Sequence, residues 1–341
     1  MEQSRCFCMA GGQGIHCREE TYMKEIGGYM ELDEYHLPMP HQGAVGLNCG
    51  RNCLAYLIMA KGIRKIALPY FLCHSVKDVC YSYHVQVRFY HVDGSFLPQD
   101  VSVDEDEWLY LVNYYGQVGA DTIRAVSEAH RNLIVDYTQA YFAEPVEGVD
   151  SIYSCRKFFG VADGAFLYTD RELEGDLAYD ESYQRMLFVL GRYERTAQEF
   201  YAYSVENNEM FSGEPVKRMS KLTRNLLHGI DYGRVERRRT KNYEYLSERL
   251  GGINQLELKE VGGAFSYPCM VSNAPDIRRN MVKKGIYIPV LWGNVLEDAR
   301  EGSWDYRLAN DVLSLPCDQR YGEEEMEIIC STLLEEMKKF R

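Results

Sequence analysis

The sequence lacks several features that would place it at once in a common class of protein. None of its apolar runs reaches about 18 residues, the length that a transmembrane helix needs. The dinucleotide-binding pattern Gly-x-Gly-x-x-Gly and the hydrolase pattern Gly-x-Ser-x-Gly are both absent. Basic residues number 38 against 51 acidic ones, and the net charge of −13 argues against nucleic acid or a membrane surface as the main partner.

The 11 cysteines are an odd number and are scattered through apolar segments. Residues 1–5 lack the apolar core of a signal peptide, so we expect free thiols and a cytoplasmic location. Cys6 and Cys8 with His16 and Cys17 match no zinc-site spacing, and no metal site is expected there. The glycine-rich segment 11–14 follows no strand pattern, so we interpret it as part of a mobile arm.

Apolar runs and helical patterns alternate through the first half of the 341-residue chain. This alternation predicts an α/β fold with a large, doubly wound and mainly parallel sheet. The predicted strands are 66–69, 85–90, 109–113, 133–135 and 165–168, and a helix with Asp121 as its N-cap is predicted at 121–131.

The second half predicts a long helical region at 171–212 and then a smaller α/β domain. Its expected elements are helix 276–284, strand 286–292 and a last helix, 323–339. The predicted organisation is an N-terminal arm at 1–39, a large domain at 40–235 and a small C-terminal domain at 236–341.

An acid and a lysine stand out at the centre of the large domain. Asp136 ends the apolar run 133–135, and the carboxyl ends of parallel strands are where α/β sheets bind ligands. Lys157 follows 21 positions later between polar residues and two phenylalanines, which indicates partial burial and a nucleophilic amine. The alternatives are a solvated loop acid and a surface lysine. Pyridoxal phosphate (PLP) chemistry needs both groups, a lysine for a Schiff base and an acid for the ring nitrogen.

Other candidate residues lie where this sheet edge is expected. The turn containing Gly50, Arg51 and Asn52 begins an apolar helix, so it is either an ordinary turn or an anion site. Ser154 could bind a phosphate or cap a turn. Cys73 and His74 follow a strand end, and either could pack over a planar ring or belong to the core.

Short motifs follow one another between residues 45 and 335 in an order that is more specific than any one of them. They are the Gly50 turn, Leu68-Pro69, Asn113-Tyr-Tyr-Gly116-Gln117, Asp136-Tyr-Thr-Gln139-Ala, Ser154-Cys-Arg-Lys157, Asp163-Gly164, Arg218-Met219-Ser220, the helical segment 238–242 and Leu313-Ser-Leu-Pro316. In this order and spacing the chain resembles the DegT/StrS-type PLP-dependent aminotransferases, the sugar-aminotransferase branch of fold type I.

The resemblance implies a cytoplasmic homodimer with its site at the interface, and amine transfer from an amino acid, with glutamate expected, to a keto sugar or similar polar ketone. Lys157 and Asp136 would be the catalytic residues, with Lys157 bound to PLP and Asp136 paired with its ring nitrogen. The other residues implied to bind the cofactor are Gly50, Arg51, Asn52, Cys73, His74, Asn113, Gln139 and Ser154.

The departures from the family pattern concern the substrate side. Cys49-Gly50-Arg51 replaces the usual Ser-Gly-Thr, Phe158 replaces the asparagine after the lysine, and Val216 or Lys217 stands where an asparagine precedes Arg-Met-Ser. Two alternatives therefore stay open. One is another PLP-dependent reaction, and the other is a non-catalytic binding or regulatory protein with this fold.

Overall fold

The computed structural model describes residues 4–5, 20–21 and 26–340. In the N-terminal unit, the two-residue strands β1 (Ser4–Arg5) and β2 (Glu20–Thr21) pair antiparallel. The glycine-rich segment 11–14 and the cluster of Cys6, Cys8, His16 and Cys17 lie outside the described residues. The predictions for these positions therefore stay predictions.

The main sheet has eight strands and is mainly parallel, as predicted. Its strands are β3 (Val45–Leu47), β4 (Lys65–Pro69), β5 (Gln86–Val92), β6 (Pro98–Gln99), β7 (Glu107–Val112), β8 (Leu133–Asp136), β9 (Asp150–Ser154) and β10 (Ala165–Tyr168). They are arranged in the order β3-β10-β9-β8-β7-β4-β5-β6. The pairings between β9, β8, β7, β4 and β5 are parallel, whereas β3, β10 and β6 join antiparallel.

The helices of the described part fill the intervals between strands and most of the second half. They are α1 (Gly50–Lys61), α2 (His74–Ser82), α3 (Ala120–Ala129), α4 (Leu187–Glu194), α5 (Tyr201–Glu209), α6 (Lys221–Leu227), α7 (Tyr232–Leu250), α8 (Ala274–Lys283), α9 (Val295–Asp298), α10 (Trp304–Asp311) and α11 (Glu323–Lys338). None of them is long and apolar enough to cross a membrane.

Three local predictions were wrong. The N-cap of α3 is Gly119, and Asp121 lies in the first turn, where the helix dipole also favours an acid. Only α4, α5 and one short 3₁₀ turn form in the region predicted as helical at 171–212. Residues 286–292 form no strand, because Pro289 cannot donate to a sheet and a different segment, β12 (Val312–Leu315), pairs with β11 (Tyr267–Met270).

Helix α1 is held in the core by a run of consecutive buried residues from Asn52 to Ile58. A helix with so little polar surface is stable only when protein surrounds it. Gly62 ends it in the left-handed conformation, with φ of 63°, and its amide donates to the carbonyl of Ile58. The predicted C-terminal stop is confirmed, and the N-terminus of α1 is fixed beside the sheet.

A second hydrophobic cluster lies in the C-terminal part. Residues of α7, α8 and α11 pack there with the β11–β12 pair, including Tyr243, Ile277, Leu313 and Leu333. Residues 35–341 nevertheless form one compact unit, and the predicted boundary after residue 235 falls inside α7. The division into a large and a small domain therefore stays a prediction.

The carboxyl ends of the parallel strands meet at one edge of the sheet. Val112 lies opposite Asp136, which lies opposite Ile152 in the next strand. The amide of Asn113 donates to the carbonyl of Asp136 at 3.0 Å. The predicted convergence of strand ends is confirmed, and it brings residues from four distant segments together.

Candidate active site

Asp136 is a buried carboxylate without a cation. Its side chain is 5% exposed. One oxygen accepts a hydrogen bond from the Tyr110 hydroxyl at 2.9 Å, and the other accepts from the Thr138 amide at 2.7 Å. No lysine, arginine or histidine of the part of the chain that the structure describes forms an ion pair with it. A buried charge in this state is costly, so the geometry favours an external cationic partner.

Lys157 ends a 3₁₀ turn, Cys155–Lys157, directly after β9. Its Nζ donates to the Thr138 hydroxyl at 3.3 Å and lies 5.8 Å from the ring centre of Phe265 and 6.0 Å from that of Trp292. Solvent reaches the side chain through an open pocket. The surrounding protein still removes much of its hydration, and this burial lowers the pKa of Lys157, against the opposing effect of Asp136. More neutral amine is therefore present than in an ordinary lysine.

The N-terminus of α1 lies next to these two residues. A β-carbon on Gly50 would be 3.6 Å from the Thr138 methyl group and 3.8 Å from Ile152. Cys49 is the N-cap, and its thiol makes no capping hydrogen bond but interacts with the amides of Arg51 and Asn52. No carbonyl of the helix accepts from the amides of Gly50 and Arg51. These amides and the helix dipole form an anion-binding position.

Gly164 connects the turn of Lys157 to this helix terminus. Its amide donates to the carbonyl of Asn48 at 2.6 Å, and its carbonyl accepts from the Cys155 amide at 3.1 Å. Its φ is 113°, and a β-carbon there would lie 2.9 Å from the Thr223 methyl group. Only glycine therefore fits, and the sequence motif Asp163-Gly164 has a positional role.

Asp163 fixes the motif Arg218-Met219-Ser220 beneath the site. The fully buried Asp163 carboxylate accepts from both the amide and the hydroxyl of Ser220 at 2.7 Å, and also from the Thr223 hydroxyl. Ser220 in turn caps α6. Two motifs that are 57 residues apart in the chain are thus one hydrogen-bonded structure.

The side chains of Gln139, Ser154 and Asn113 differ in whether they already form hydrogen bonds within the protein. Gln139 is buried and accepts from the Tyr115 amide at 2.9 Å. The Ser154 hydroxyl lies at the end of β9, and no described side chain or backbone group hydrogen-bonds it. Asn113 exchanges hydrogen bonds of 3.0 Å and 2.9 Å with the backbone of Val118, so its amide holds the loop.

Asn52 and Arg51 direct their side chains away from the helix terminus. The Asn52 amide donates to the Asn48 side chain at 2.8 Å and to the carbonyl of Pro215 at 3.1 Å. The Arg51 guanidinium donates to the carbonyl and side chain of Asn208. Any contact of Arg51 with an anion at α1 would therefore involve its backbone amide, whereas the Asn52 amide already donates to the carbonyl of Cys49 at 3.1 Å.

Cys73 and His74 lie at the start of α2. Cys73 is half-buried, contacts the Ser75 hydroxyl at 3.2 Å, and interacts electrostatically with Lys157. His74 is exposed and lies near Asp298. The sequence analysis missed Phe265 and Trp292, the aromatic rings nearest to Lys157. No spacing or motif could have indicated them, because they lie more than 100 positions from Lys157 in the chain.

A cavity of about 680 Å³ opens beside Lys157. Its walls combine cationic and aromatic side chains, among them Arg156, Phe188, Arg192, Phe265, Tyr287 and Arg320. The cavity has room for a polar molecule the size of a sugar. Aromatic faces and guanidinium groups suit a ring with hydroxyl or anionic substituents.

A buried arginine holds the backbone directly after Lys157. The Arg239 guanidinium donates to the carbonyl of Phe158 at 3.3 Å, to that of Ala264 at 2.9 Å and to the Gln319 side chain at 2.7 Å. Gln319 also donates to the Phe158 carbonyl, at 2.7 Å. The pair thus fixes the position of Lys157 from the C-terminal part of the chain.

Replacing Arg239 by methionine is expected to lower the free energy of unfolding by about 3 kcal/mol, because it removes the charged donor to the buried carbonyl of Ala264 and to the Gln319 side chain. Gln319→Leu should cost roughly 1–2 kcal/mol for the loss of one donor. Arg237→Met, at an exposed position of the same helix, is the matched control and should change stability by less than about 0.5 kcal/mol. Denaturant titrations measure all three, and equal values for Arg239→Met and Arg237→Met would contradict the role of Arg239.

The donor set of this site fits PLP. The uncompensated carboxylate of Asp136 matches a protonated ring nitrogen, and Lys157 supplies an amine of lowered pKa. The free amides of α1 and the Ser154 hydroxyl match a phosphate group. Three of these elements meet at Thr138, which hydrogen-bonds Asp136 and Lys157 and lies against Gly50.

Comparison with known proteins identifies the fold. No protein-family model and no curated protein matches the sequence. Among solved structures, DesV of S. venezuelae in complex with a ketimine intermediate shares 16% identity over 86% of this chain and 84% of its own, with a TM-score of 0.62. The sugar aminotransferase CalS13 of Micromonospora echinospora shares 16% over 85% and 86%, with a TM-score of 0.58.

A third solved structure is the putative sugar aminotransferase Spr1654 of Streptococcus pneumoniae in its PLP form. It shares 12% identity over 86% of this chain and 87% of its own, with a TM-score of 0.59. The chain thus has the fold of these aminotransferases over most of its length, and the predicted fold class is confirmed. At this level of identity the likeness establishes the fold and not the reaction.

Proposed function

We propose that this protein is a PLP-dependent aminotransferase of the DegT/StrS type that moves an amino group from an amino acid, with glutamate as the donor, to a keto sugar or a similar polar ketone. One observation carries the proposal. A buried carboxylate without a cation and a lysine of lowered pKa share one space beside a free helix N-terminus, in a chain with an aminotransferase fold.

The residues divide into three roles. Asp136 pairs with the ring nitrogen of PLP, and Gln139 lies beside the ring. The backbone amides of Gly50 and Arg51 and the Ser154 hydroxyl bind the phosphate, and Asn52 supports this turn through its bonds to Asn48 and Pro215. Cys73 is better placed than His74 to contact the ring, since His74 is turned towards Asp298. Asn113 supports the loop that carries Tyr115.

PLP, when bound, supplies an electron sink for the carbon that gains or loses the amino group. Lys157 then moves a proton, and its lowered pKa suits this task because more neutral amine is available near neutral pH. Thr138 orients Nζ through its hydroxyl. Arg239 and Gln319 keep the turn in place, so that Lys157 reaches the same position before and after each transfer.

We assign the amino acceptor to the cavity beside Lys157. Its volume of about 680 Å³ and its arginine and tyrosine side chains support a polar ring compound as the acceptor. Phe158 and Val216 stand at positions where family members carry asparagine, so the contacts to the acceptor differ from the family pattern.

We further propose a cytoplasmic homodimer with the site at its interface. Exposed apolar side chains cluster on the segment that covers the cavity, and Tyr193 is 93% and Tyr201 69% exposed. Monomers rarely leave such a patch in water. The eight described cysteines are free thiols, which supports a reducing compartment. Light scattering of the purified protein tests the dimer, and a monomer at all concentrations would contradict it.

The proposed activity is tested with purified protein, PLP and ¹⁵N-labelled glutamate. The Lys157 amine should condense with the aldehyde carbon of PLP and release water, and borohydride should then reduce the C=N bond to a stable secondary amine on Lys157. In a separate sample without borohydride, the ¹⁵N label should appear in the amino sugar that forms from one keto sugar of a panel of acceptors. Protein that never binds PLP contradicts the proposal. Bound PLP without amine transfer from any donor favours a binding protein, and a dehydrated or decarboxylated product favours another PLP reaction.

A further inference from the structure

Three arginines surround one buried aromatic ring near the candidate site. The guanidinium carbons of Arg156, Arg185 and Arg51 lie 4.7, 5.1 and 6.0 Å from the ring centre of Phe211. Arg156 directly precedes Lys157 and lines the cavity beside it. Arg51 and Arg185 act electrostatically on Arg156, and like charges repel, so negative charge in this place is stabilising.

Two of the three arginines have partners within the protein. Arg185 forms an ion pair of 2.6 Å with Asp180. Arg51 donates to the carbonyl and side chain of Asn208 at 2.9 and 2.7 Å. Arg156 has no hydrogen-bond or ion-pair partner in the described part of the chain, and its Nε is shut off from solvent. Arg156 is therefore the one arginine of the three that forms neither a hydrogen bond nor an ion pair within the described part of the chain.

Its surroundings make this state costly. Burial lowers the pKa of Arg156 to about 10, and the nearby charges of Arg51 and Arg185 act in the same direction, whereas Cys49 and the Asp163 carboxylate oppose them without forming a hydrogen bond to Arg156. Arg156 is half-buried and its Nε has no partner, and such a cation is stabilised when an anion binds. Evolution could remove the cost with a neutral residue, so the arginine is best explained by a ligand.

The same place carries the free amides of α1. Arg156 interacts electrostatically with Cys49, the N-cap of that helix, and with Arg51 in its first turn. Ser154, whose hydroxyl has no partner in the part of the chain that is described, lies two residues before Arg156 at the end of β9. Helix amides, a hydroxyl and a guanidinium together form a binding site for a phosphate group.

We propose that Arg156 binds the phosphate of PLP as its charged ligand, in addition to the helix amides and Ser154. This inference rests on the proposed function, because it assumes that PLP occupies the site. A phosphate or carboxylate of the acceptor is the other possible anion.

The test compares PLP with pyridoxal, which lacks the phosphate. In Arg156→Gln the dissociation constant for PLP should rise roughly 10- to 100-fold, whereas that for pyridoxal should stay unchanged. Arg156→Lys keeps a cation and should lose less affinity. Arg185→Gln, on the other side of the same ring, is the matched control and should preserve the ratio of the two constants. Absorbance titrations of each folded variant give both constants without any measurement of activity.

Competition between inorganic phosphate and PLP provides a second, independent measurement. It should compete with PLP on the wild-type protein and compete less on Arg156→Gln. If PLP and pyridoxal lose affinity equally, or if neither does, the inference is overturned while the proposed function stands. If the affinity of Arg156→Gln for PLP relative to pyridoxal is unchanged but its affinity for a phosphorylated acceptor falls, Arg156 binds the acceptor instead. A wild-type protein that binds neither compound overturns the proposed function and this inference together. If Arg156→Gln does not fold, Arg156→Lys and the phosphate competition decide.

Discussion

Replacement of Lys157 by alanine is expected to abolish covalent attachment of PLP and to lower amine transfer by at least about 1,000-fold. The side chain supplies both the nucleophile and the group that moves the proton, and general acid–base catalysis alone contributes about 10²- to 10⁴-fold. Borohydride reduction followed by peptide mapping measures the attachment. Steady-state kinetics with labelled glutamate measures the transfer.

A matched control separates this effect from the loss of any lysine. Lys65→Ala removes a lysine that pairs with Asp106 at the surface, and it should leave both measurements unchanged. Attachment of PLP to another lysine in the wild-type protein would contradict the assignment of Lys157, as would substantial amine transfer by Lys157→Ala.

The lowered pKa of Lys157 makes a related prediction about pH. Burial disfavours the charged ammonium form, so the amine loses its proton at a lower pH than an ordinary lysine, whose pKa is near 10.5. The rate of attachment of PLP should rise with pH and reach its plateau below that value. A midpoint at or above 10.5 in stopped-flow measurements would contradict the burial effect.

Replacement of Asp136 by asparagine is the second change with a large expected effect. It removes the negative charge that stabilises a protonated ring nitrogen, and we expect amine transfer to fall by about 10²- to 10³-fold. Asparagine has only one acceptor oxygen. The substitution therefore also leaves either the Tyr110 hydroxyl or the Thr138 amide, which both donate to Asp136, without a good acceptor. Kinetics with a saturating concentration of PLP distinguishes this chemical effect from weaker cofactor binding.

Asp136→Asn should also lower the pKa of Lys157 further, because the carboxylate is the main influence that opposes burial there. The midpoint for attachment of PLP would move to lower pH. Tyr110→Phe is the matched control, since it removes one hydrogen bond to Asp136 and keeps the charge. It should reduce transfer only a few-fold, and an effect as large as that of Asp136→Asn would contradict the electrostatic explanation.

Much of the cofactor side of the site could be predicted from the sequence. The apolar run before Asp136, the glycine turn before α1 and the spacing to Lys157 are local patterns, and parallel strand pairing brings their ends to one edge. The order of the motifs then indicated the fold. Local patterns succeeded here because each residue lies at the end of a strand or helix that its own neighbours specify.

The sequence was a poor guide where a local pattern is compatible with more than one structure or more than one set of hydrogen bonds. Residues 286–292 have a strand-like pattern, yet the strand partner of β11 is β12. The amides of Asn52 and Asn113 look like ligand-binding groups in the sequence, but both are committed to hydrogen bonds within the protein. Asparagine serves either purpose equally well, so only its surroundings decide.

The sequence by itself therefore determined the fold class, and it predicted the acid and lysine pair and the helix turn that we propose binds an anion. Tertiary structure decided which side chains surround them. Trp292, Phe265 and the Arg239–Gln319 pair reach Lys157 from the C-terminal part, and Arg239 contacts Phe158 across 81 positions. Arg156 appeared as an unpartnered cation only when its neighbours were in place. Such contacts depend on how separate elements pack, and neither residue periodicity nor local motif spacing contains that information.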